Sequence, residues 1–515
     1  MPNPIAARIC CGITSALLLA APVYSGTLAD APSVAPSSMP RIGTVGARFQ
    51  SYNIEMVELT GGRFWKPYRS KHEVHGAPAP RPGSDTPPGM DSNLYEYRPP
   101  IDLTDTRLRK LAAALAPAYV RVSGTWANTT YFADSENPPS APPPLFNGIL
   151  TRQQWRSLVD FSQAVDARIV TSFSAGPGSR DAGGVWKPDQ ARRLLAYTRS
   201  VEGSIAAAEF TNEPDLAAVG GLPAGYDASA YGRDFGIFRR FMMQSSPEMM
   251  ILGPGTVGET TVASSLLAAS TPDLDALSYH YYAALSARCG GKLTPETALS
   301  ERWLSGTDRV LNFYRTLRDE FEPGRPIWLT ETADAACGGN PSAATFLDTF
   351  RYLDQLGRLA KAGVQVVMHN TLTGSDYGLL DERTRRPRPN YWAALLWRQL
   401  MGTTVLDAGA PVQSGLHVYA HCQREVAGGV TILVINTNRN APRSLTLPTA
   451  SARYTLDAVS LTGIDVRLNG RTLKLSAHDE LPSIAGVPTI AGTTTFAPAT
   501  ITFLAIPAAA NDACR

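Results

Sequence analysis

Long apolar runs are scarce in this chain of 515 residues. Beyond the N-terminus no stretch approaches the ~18 residues a membrane-spanning helix needs, so no stable membrane insertion is expected. Charge is scarce too. Only 18% of residues are Asp, Glu, Lys or Arg, and 47 basic residues face 45 acidic ones, a formal charge of +2. So even a balance argues against nucleic acid or a membrane surface as the main partner. Histidines number 7 and cysteines 6. The pair His72-Glu-Val-His75 lacks the H-E-x-x-H spacing of a zinc hydrolase, and no C-x-x-C pair occurs. Neither a metal nor a cofactor is expected. No G-x-S-x-G elbow is present, which removes support for a serine hydrolase. What is present is a 44% hydrophobic fraction, enough for a sizeable core, in a chain too long for one ordinary domain.

The first residues read as an export signal. A single charge, Arg8, precedes an apolar stretch over 9–21, and small residues follow in Val23-Tyr-Ser25 and Thr27-Leu-Ala29. Residues 1–29 are therefore expected to be a removed signal peptide, and the protein to be secreted or periplasmic. The small and proline-rich residues 30–40 are expected to form a flexible leader. Four cysteines then remain, Cys289, Cys337, Cys422 and Cys514, allowing up to two disulfides with three connectivities.

Short β-rich runs recur over 48–55, 118–122, 167–173, 205–211, 249–252, 274–279, 326–330 and 364–368. Helical spacing appears between them, for example over 106–115, 152–165, 189–201 and 346–362. Eight strands alternating with helices predict an α/β protein with a parallel sheet, closed into a (β/α)8 barrel over 41–401. An open doubly wound sheet is the alternative. From about residue 402 the helices stop, and strands over 412–421, 430–436, 443–447, 454–460 and 500–506 predict an antiparallel β-sandwich domain over 402–515. The proline-rich stretch 66–100 reads as a long loop between the first two strands. Gly253-Pro-Gly-Thr-Val-Gly258 matches G-x-G-x-x-G, but it follows the fifth strand and Pro254 removes a donor N–H. It is read as a tight turn. The sequence carries no signal for an oligomeric state.

In such a barrel the reacting groups sit at the carboxyl ends of strands. The fourth strand ends Phe210-Thr-Asn-Glu213-Pro214, and the seventh ends Ile327-Trp-Leu-Thr-Glu331-Thr332. Either glutamate alone has a structural reading: Glu213 before Pro214 could open a helix, and Glu331 could join a buried ion pair. Two of them on strand ends facing one pocket match the equipment of glycoside hydrolysis, one kept protonated and one ionised. Glu55, Arg121 to Thr125, His280-Tyr281-Tyr282 and His369-Asn370 add a polar rim, and Trp126, Trp328 and Trp392 are candidate sugar platforms.

The run Ile327-Trp-Leu-Thr-Glu-Thr-Ala-Asp-Ala-Ala-Cys-Gly-Gly339 resembles the nucleophile region of glycoside hydrolase family 79, the heparanase family. The similarity continues through Gly363-Val-Gln-Val-Val-Met368, Tyr377-Gly-Leu-Leu-Asp381, Val418-Tyr-Ala-His-Cys422 and Leu468-Asn-Gly-Arg-Thr-Leu-Lys474, and Ala116-Pro-Ala-Tyr-Val-Arg-Val-Ser-Gly-Thr125 is similar to the family's second-strand motif. The resemblance implies a retaining β-glucuronidase with Glu213 as acid/base and Glu331 as nucleophile. It also implies that Asn212 bonds the sugar's 2-hydroxyl, that the Tyr281 phenol holds the nucleophile, and that Glu55 and Thr125 line the sugar subsite. Gly374 and Tyr377 would hold the glucuronate carboxylate, with Asn370 nearby, and Cys422 would pair with Cys514. The substrate would be a glucuronic-acid-containing oligosaccharide or glycosaminoglycan. Three departures stand out: Ser123 replaces a glycine of the heparanases, Asn370 replaces a glutamine, and the loop Gly374-Ser-Asp-Tyr377 is one residue shorter. The length of 66–100 favours attack on terminal rather than internal residues. A catalytically silent carbohydrate-binding protein and a β-glycosidase for a neutral sugar are the alternatives.

Overall fold

A computed structural model describes residues 31–68, 91–410 and 412–515. The signal segment, His72, His75 and the middle of the proline-rich stretch lie outside the described residues. Eight strands form the first unit: β1 (Gln50–Glu55), β2 (Ala118–Ser123), β3 (Ala167–Ser172), β4 (Ile205–Glu209), β5 (Met250–Val257), β6 (Ala276–Leu285), β7 (Ile327–Ala336) and β8 (Val366–His369). Each is followed by a helix: α1 (Thr106–Ala113), α2 (Arg152–Ala164), α3 (Asp189–Ser200), α4 (Ala228–Ser245), α5 (Thr261–Ser270), α6 (Gly306–Phe321), α7 (Phe346–Lys361) and α8 (Pro389–Leu400). Neighbouring strands are parallel, and β8 pairs with β1 through Val367 opposite Gln50, so the sheet closes and the open alternative fails.

Alternation along each strand divides the residues between two environments. Ile54, Val120, Val122 and Ile169 pack beneath the helices in the main core. The other set turns into the barrel. Near its amino end Val170, Ala207, Leu252, Ala276, Trp328 and Met368 form an apolar plug. One layer further on, the interior turns polar, with Arg121, Glu209, Ser278 and Thr330 in mutual contact. The polar layer rests on the apolar plug, and its mutual hydrogen bonds fix where the site's side chains stand.

Several strands run further than the sequence suggests. β5 absorbs Gly253-Pro-Gly255, so this stretch is strand with a register shift between Pro254 and Thr256, and not a turn. β6 and β7 extend to Leu285 and Ala336, with a second register shift that sets His280 opposite Glu331. The helices carry standard stop and start chemistry. For instance, Thr151 and Gln154 form a reciprocal capping box at the start of α2.

The C-terminal region is antiparallel. Its main sheet includes β9 (Met401–Leu406), β10 (His417–Gln423), β11 (Val430–Asn436), β12 (Ser451–Asp457) and β13 (Thr500–Ile506), in the order β9-β10-β11-β13-β12. Val430, Ile432 and Val434 of β11 face a two-stranded sheet of Arg443–Leu447 and Gly492–Phe496. Leu433 and Ile435 face the barrel helices instead. Consequently α7 is buried almost all round. His417 and Tyr419 of β10 both bond Asp354 of α7, and Gly357 lets the Tyr419 ring lie flat on the helix, where a Cβ would stand 2.4 Å from it.

Two expectations about the chain's organisation change. The leader 30–40 is tied down where it is described: Val34 N–H donates to Thr446, Thr446 N–H donates to Pro32, and the Asn511 amide donates to Pro36 and Met39. Strand Arg41–Thr44, inside the bounds 41–401 expected for the barrel, pairs antiparallel with β9. Unpaired edge N–H groups of β9 recruit it, because a strand edge seeks partners. Cys422 is bonded to Cys514, and Cys289 to Cys337. Among the described residues no helix is long and apolar enough to cross a membrane.

Candidate active site

Two carboxyl groups and a cation lie at the centre of the barrel's carboxyl end. Glu331 lies within β7 at 5% exposure, Glu213 follows β4 at 8%, and His280 of β6 is fully buried between them. An oxygen of each glutamate and a ring nitrogen of His280 all lie within 4.8 Å of one another. By spacing alone these atoms could hold a cation. Each is already committed, however, and the Arg121 guanidinium occupies the neighbouring position with its own positive charge.

Arg121 organises the site. Its Nη1 donates to Glu331 Oε2 at 2.8 Å, its Nε and Nη2 donate to Glu209 Oε2 at 3.0 and 2.8 Å, and Nη2 also donates to Asn212 Oδ1 at 2.8 Å. Glu209, the last residue of β4, further accepts from Ser278 and Thr330 hydroxyls at 2.8 Å each. Burial would raise Glu209, but the Arg121 guanidinium and His280 outweigh it and hold the carboxyl well below the usual range. The sequence reading missed Glu209. Its position directly after the alanines 206–208 at the end of a buried strand was the available signal, since a buried charge must be paired.

The two principal glutamates are pushed apart. Burial raises Glu213 above its ordinary range, and the neighbouring Glu331 adds to this. For Glu331 burial acts the same way but is outweighed by His280, Arg121 and a phenol, so it titrates below its ordinary range. His280 would lose its proton to burial; the Glu331 carboxylate, with Glu209 and Glu213, lifts it to about 10 against the opposition of Arg121. Its Nδ1 lies 2.9 Å from Glu213 Oε1. Glu213 itself has a left-handed backbone, φ +43°, and heads the short 3-10 turn Pro214–Leu216 without its side chain capping that turn. A non-glycine residue held in that region points to function more than to simple turn formation.

The phenol on Glu331 belongs to Tyr282, whose hydroxyl donates to Oε1 at 2.7 Å, and not to Tyr281. Alternation explains the correction. With His280 turned inward, Tyr281 must face the helical layer, where its hydroxyl lies against Gly306 at the start of α6, and Tyr282 turns inward again. Removing the Tyr282 hydroxyl deletes one charge-assisted bond, worth ~1.5–3 kcal/mol. Tyr282→Phe is expected to lower kcat by roughly 10- to 100-fold and to move the acidic limb of the pH profile upward. Tyr281→Phe should change kcat by less than about threefold. Steady-state kinetics on the two variants checks the register directly; the reverse ranking contradicts it.

Most other expected residues are assembled around this centre. Asn212 is fixed by Asn128, which accepts from its N–H at 2.9 Å and donates to its carbonyl at 2.9 Å. Asn128 is a second residue the sequence reading passed over, because nothing in its local pattern marks a long-range clamp. The Asn370 amide donates to Glu55 Oε1 at 3.0 Å, to the Tyr282 hydroxyl at 2.9 Å and to the Tyr377 hydroxyl at 3.3 Å. Burial, with Glu331 adding to it, raises Glu55 well above the carboxylate range, and its Oε2 has no partner among the described residues. Gly124 makes this possible: at φ +89° any Cβ there would stand 1.6 Å from Oε2. Thr125, half-buried, follows at the start of a 3-10 segment.

Gly374 is also close-packed, but against protein. A Cβ there would stand 2.5 Å from the Glu58 carboxyl carbon, and Glu58 accepts from the Thr373 hydroxyl at 2.8 Å and from Glu55 N–H at 2.8 Å. Burial pushes Glu58 up to about 7 and Asp376 up to about 6. Of the tryptophans, Trp126 is half-buried against Phe64. Trp328 belongs to the plug at the opposite end of the barrel, and Trp392 is buried in α8, so neither reaches the site.

A closed barrel carrying paired carboxyl groups on its strand ends places this chain among the (β/α)8-barrel glycosidases. A family model described as glycosyl hydrolase family 79, N-terminal domain, matches residues 100–357, half of the chain, and the chain belongs to that family. Heparanase-like protein 1 of Arabidopsis thaliana is 29% identical over 365 residues, 66% of each chain. Heparanase-like protein 2 of the same plant is matched over only 55% of its length. Heparanase of Mus musculus is 29% identical over 468 residues, covering 77% of this chain and 84% of its own. Hyaluronoglucuronidase of Hirudo nipponia is 26% identical over 466 residues, covering 81% and 92%. Among solved structures, a 4-O-α-L-rhamnosyl-β-D-glucuronidase from Fusarium oxysporum shares the fold at TM-score 0.64 and 14% identity, over 92% of this chain and 99% of its own. A family 51 arabinofuranosidase from Xanthomonas axonopodis does so at TM-score 0.60 and 15% identity, over 91% and 97%.

Proposed function

We propose that this protein is an exported retaining β-glucuronidase. Glu331 attacks the anomeric carbon while Glu213 gives its proton to the leaving oxygen. Water, deprotonated by Glu213, then releases the sugar with its configuration retained. The observation that carries this reading is the pair itself: oxygens of Glu213 and Glu331 within 4.8 Å, one group raised and the other lowered. Double displacement needs carboxyls ~5–5.5 Å apart, whereas inversion needs ~6.5–9.5 Å to admit water between them. His280 Nδ1, 2.9 Å from Glu213 Oε1, orients that carboxyl group.

Relatives named heparanase and hyaluronoglucuronidase support a uronic acid in the substrate. Terminal attack is supported by Tyr68, the last described residue before the long loop. It donates its N–H to Asp376 and bonds Ser286 through its hydroxyl at 2.7 Å, which closes one flank of the loop carrying Gly374 and Tyr377. Comparing an aryl β-glucuronide with the matching β-glucoside tests the specificity, and free glucuronate from an oligosaccharide tests the terminal mode. Equal rates on the two aryl glycosides contradict the first; internal fragments contradict the second.

The carboxyl groups around Gly374 make a pH prediction. A group raised to about 7 is neutral below that value and charged above it. A charged Glu58 beside Gly374 would repel the substrate's own carboxylate. KM for the glucuronide is therefore expected to rise as pH passes from 6 to 8 through the Glu58 value, while KM for the glucoside stays level. A parallel rise for both substrates would contradict a carboxylate subsite at Gly374.

A further inference from the structure

The opposite end of the barrel carries a second concavity. A cavity of about 760 Å³ opens where β2, β3, β5, β7 and β8 begin. That volume lies within the ~300–1,000 Å³ of small-molecule sites. Five arginines line it, Arg48, Arg168, Arg315, Arg318 and Arg325, and no acidic residue does. Arg48 is paired with Asp166 and Arg318 with Asp319. Arg168, Arg315 and Arg325 have no carboxylate partner among the described residues, and Arg168 and Arg325 are exposed. In a chain of net charge +2, five arginines around one bowl are a local concentration of positive charge. Although Arg48, Arg315 and Arg318 also donate to the carbonyls of Ala118, Ala362 and Arg325, Arg168 and Arg325 make no such bond among the described residues.

The lining is not only charged. Trp328 and Tyr119 meet at 5.0 Å between ring centroids, and Met250 and Pro326 complete an apolar floor. Guanidinium groups around an apolar floor suit a ligand with flat hydrocarbon faces and several anionic substituents. Arg is the side chain whose planar fork matches sulfate and carboxylate oxygens. We propose that this bowl is a second saccharide site, taking an acidic oligosaccharide bearing sulfate or uronate groups, remote from Glu213 and Glu331. A duplex nucleic acid is a poorer match, since a stiff rod with external phosphates cannot enter a concave floor. The proposal stands apart from the reading of the catalytic cleft, because it uses none of its residues.

The test uses the full chain carrying Glu331→Gln and a heparin-derived sulfated tetrasaccharide as probe. Hydrogen exchange followed by mass spectrometry locates binding, and calorimetry measures it. The probe is expected to slow exchange over 315–328, and Arg168→Ala with Arg325→Ala should weaken that protection about tenfold or more. The same pair with lysine should keep most of it, which separates lost charge from lost folding. Without Glu331→Gln, the alanine pair should hydrolyse a small aryl β-glucuronide at the unaltered rate. Unchanged protection in the alanine pair overturns the proposal. So does displacement of the probe by equal concentrations of inorganic sulfate or of a single-stranded oligonucleotide.

Discussion

Replacing Glu331 with glutamine is expected to lower kcat on an aryl β-glucuronide by ~10⁴-fold or more, the scale seen when a covalent nucleophile is removed. The amide keeps the shape and still accepts from Tyr282, so the fold should survive. What is lost, on the proposed mechanism, is the carboxylate that forms the glycosyl bond. It also removes the charge that lifts His280 and raises Glu213. Glu213→Gln should behave differently. General acid catalysis contributes ~10²–10⁴-fold, and that share shrinks with the leaving group's basicity. A nitrophenyl glucuronide should therefore lose far less of its first step than an alkyl glucuronide does. Stopped-flow kinetics on the two substrates separates the roles; equal losses in both variants on both substrates would contradict the assignment.

Replacing Arg121 should have the second largest effect, on stability as well as rate. The guanidinium is 1% exposed and bonds Glu209, Glu331 and Asn212 together. Arg121→Met leaves Glu209 buried without its guanidinium partner, with only His280 and hydroxyl donors beside it, and breaking a buried pair from one side costs ~3–5 kcal/mol. Glu331 loses a cause of its lowered titration at the same time. Unfolding in denaturant should show the destabilisation at neutral pH. The deficit should narrow as pH falls and Glu209 becomes protonated, because a lowered group contributes stability above its unfolded value and loses it on acidification. Arg121→Lys should recover part of the stability but little of the rate, since one ammonium cannot reach three acceptors. A variant as stable as the parent, with normal kcat, would remove Arg121 from this account.

The barrel was legible because its signal is repetitive: eight apolar runs at regular intervals specify strands even where single boundaries are weak. The two glutamates were legible because each comes shortly after a largely apolar run, Ile205–Phe210 before Glu213 and Ile327–Leu329 before Glu331. Register was not. Tyr281 and Tyr282 are adjacent residues of one type, and only the shift between β6 and β7 decides which faces Glu331. Glu209 and Asn128 were hidden for another reason. Their partners lie 88 and 84 positions away, so no local pattern reveals them. Likewise, the pairing of 41–44 with β9 depends on a sheet edge built more than 350 residues later.

The most direct measurement is the trapping of the intermediate. A 2-deoxy-2-fluoro β-glucuronide with an activated leaving group forms its adduct quickly and loses it slowly, and peptide mapping by mass spectrometry finds the labelled residue. One equivalent on Glu331, absent in Glu331→Gln, is the result this account predicts. An adduct on any other carboxylate, or turnover without an adduct and with inverted product, would contradict it.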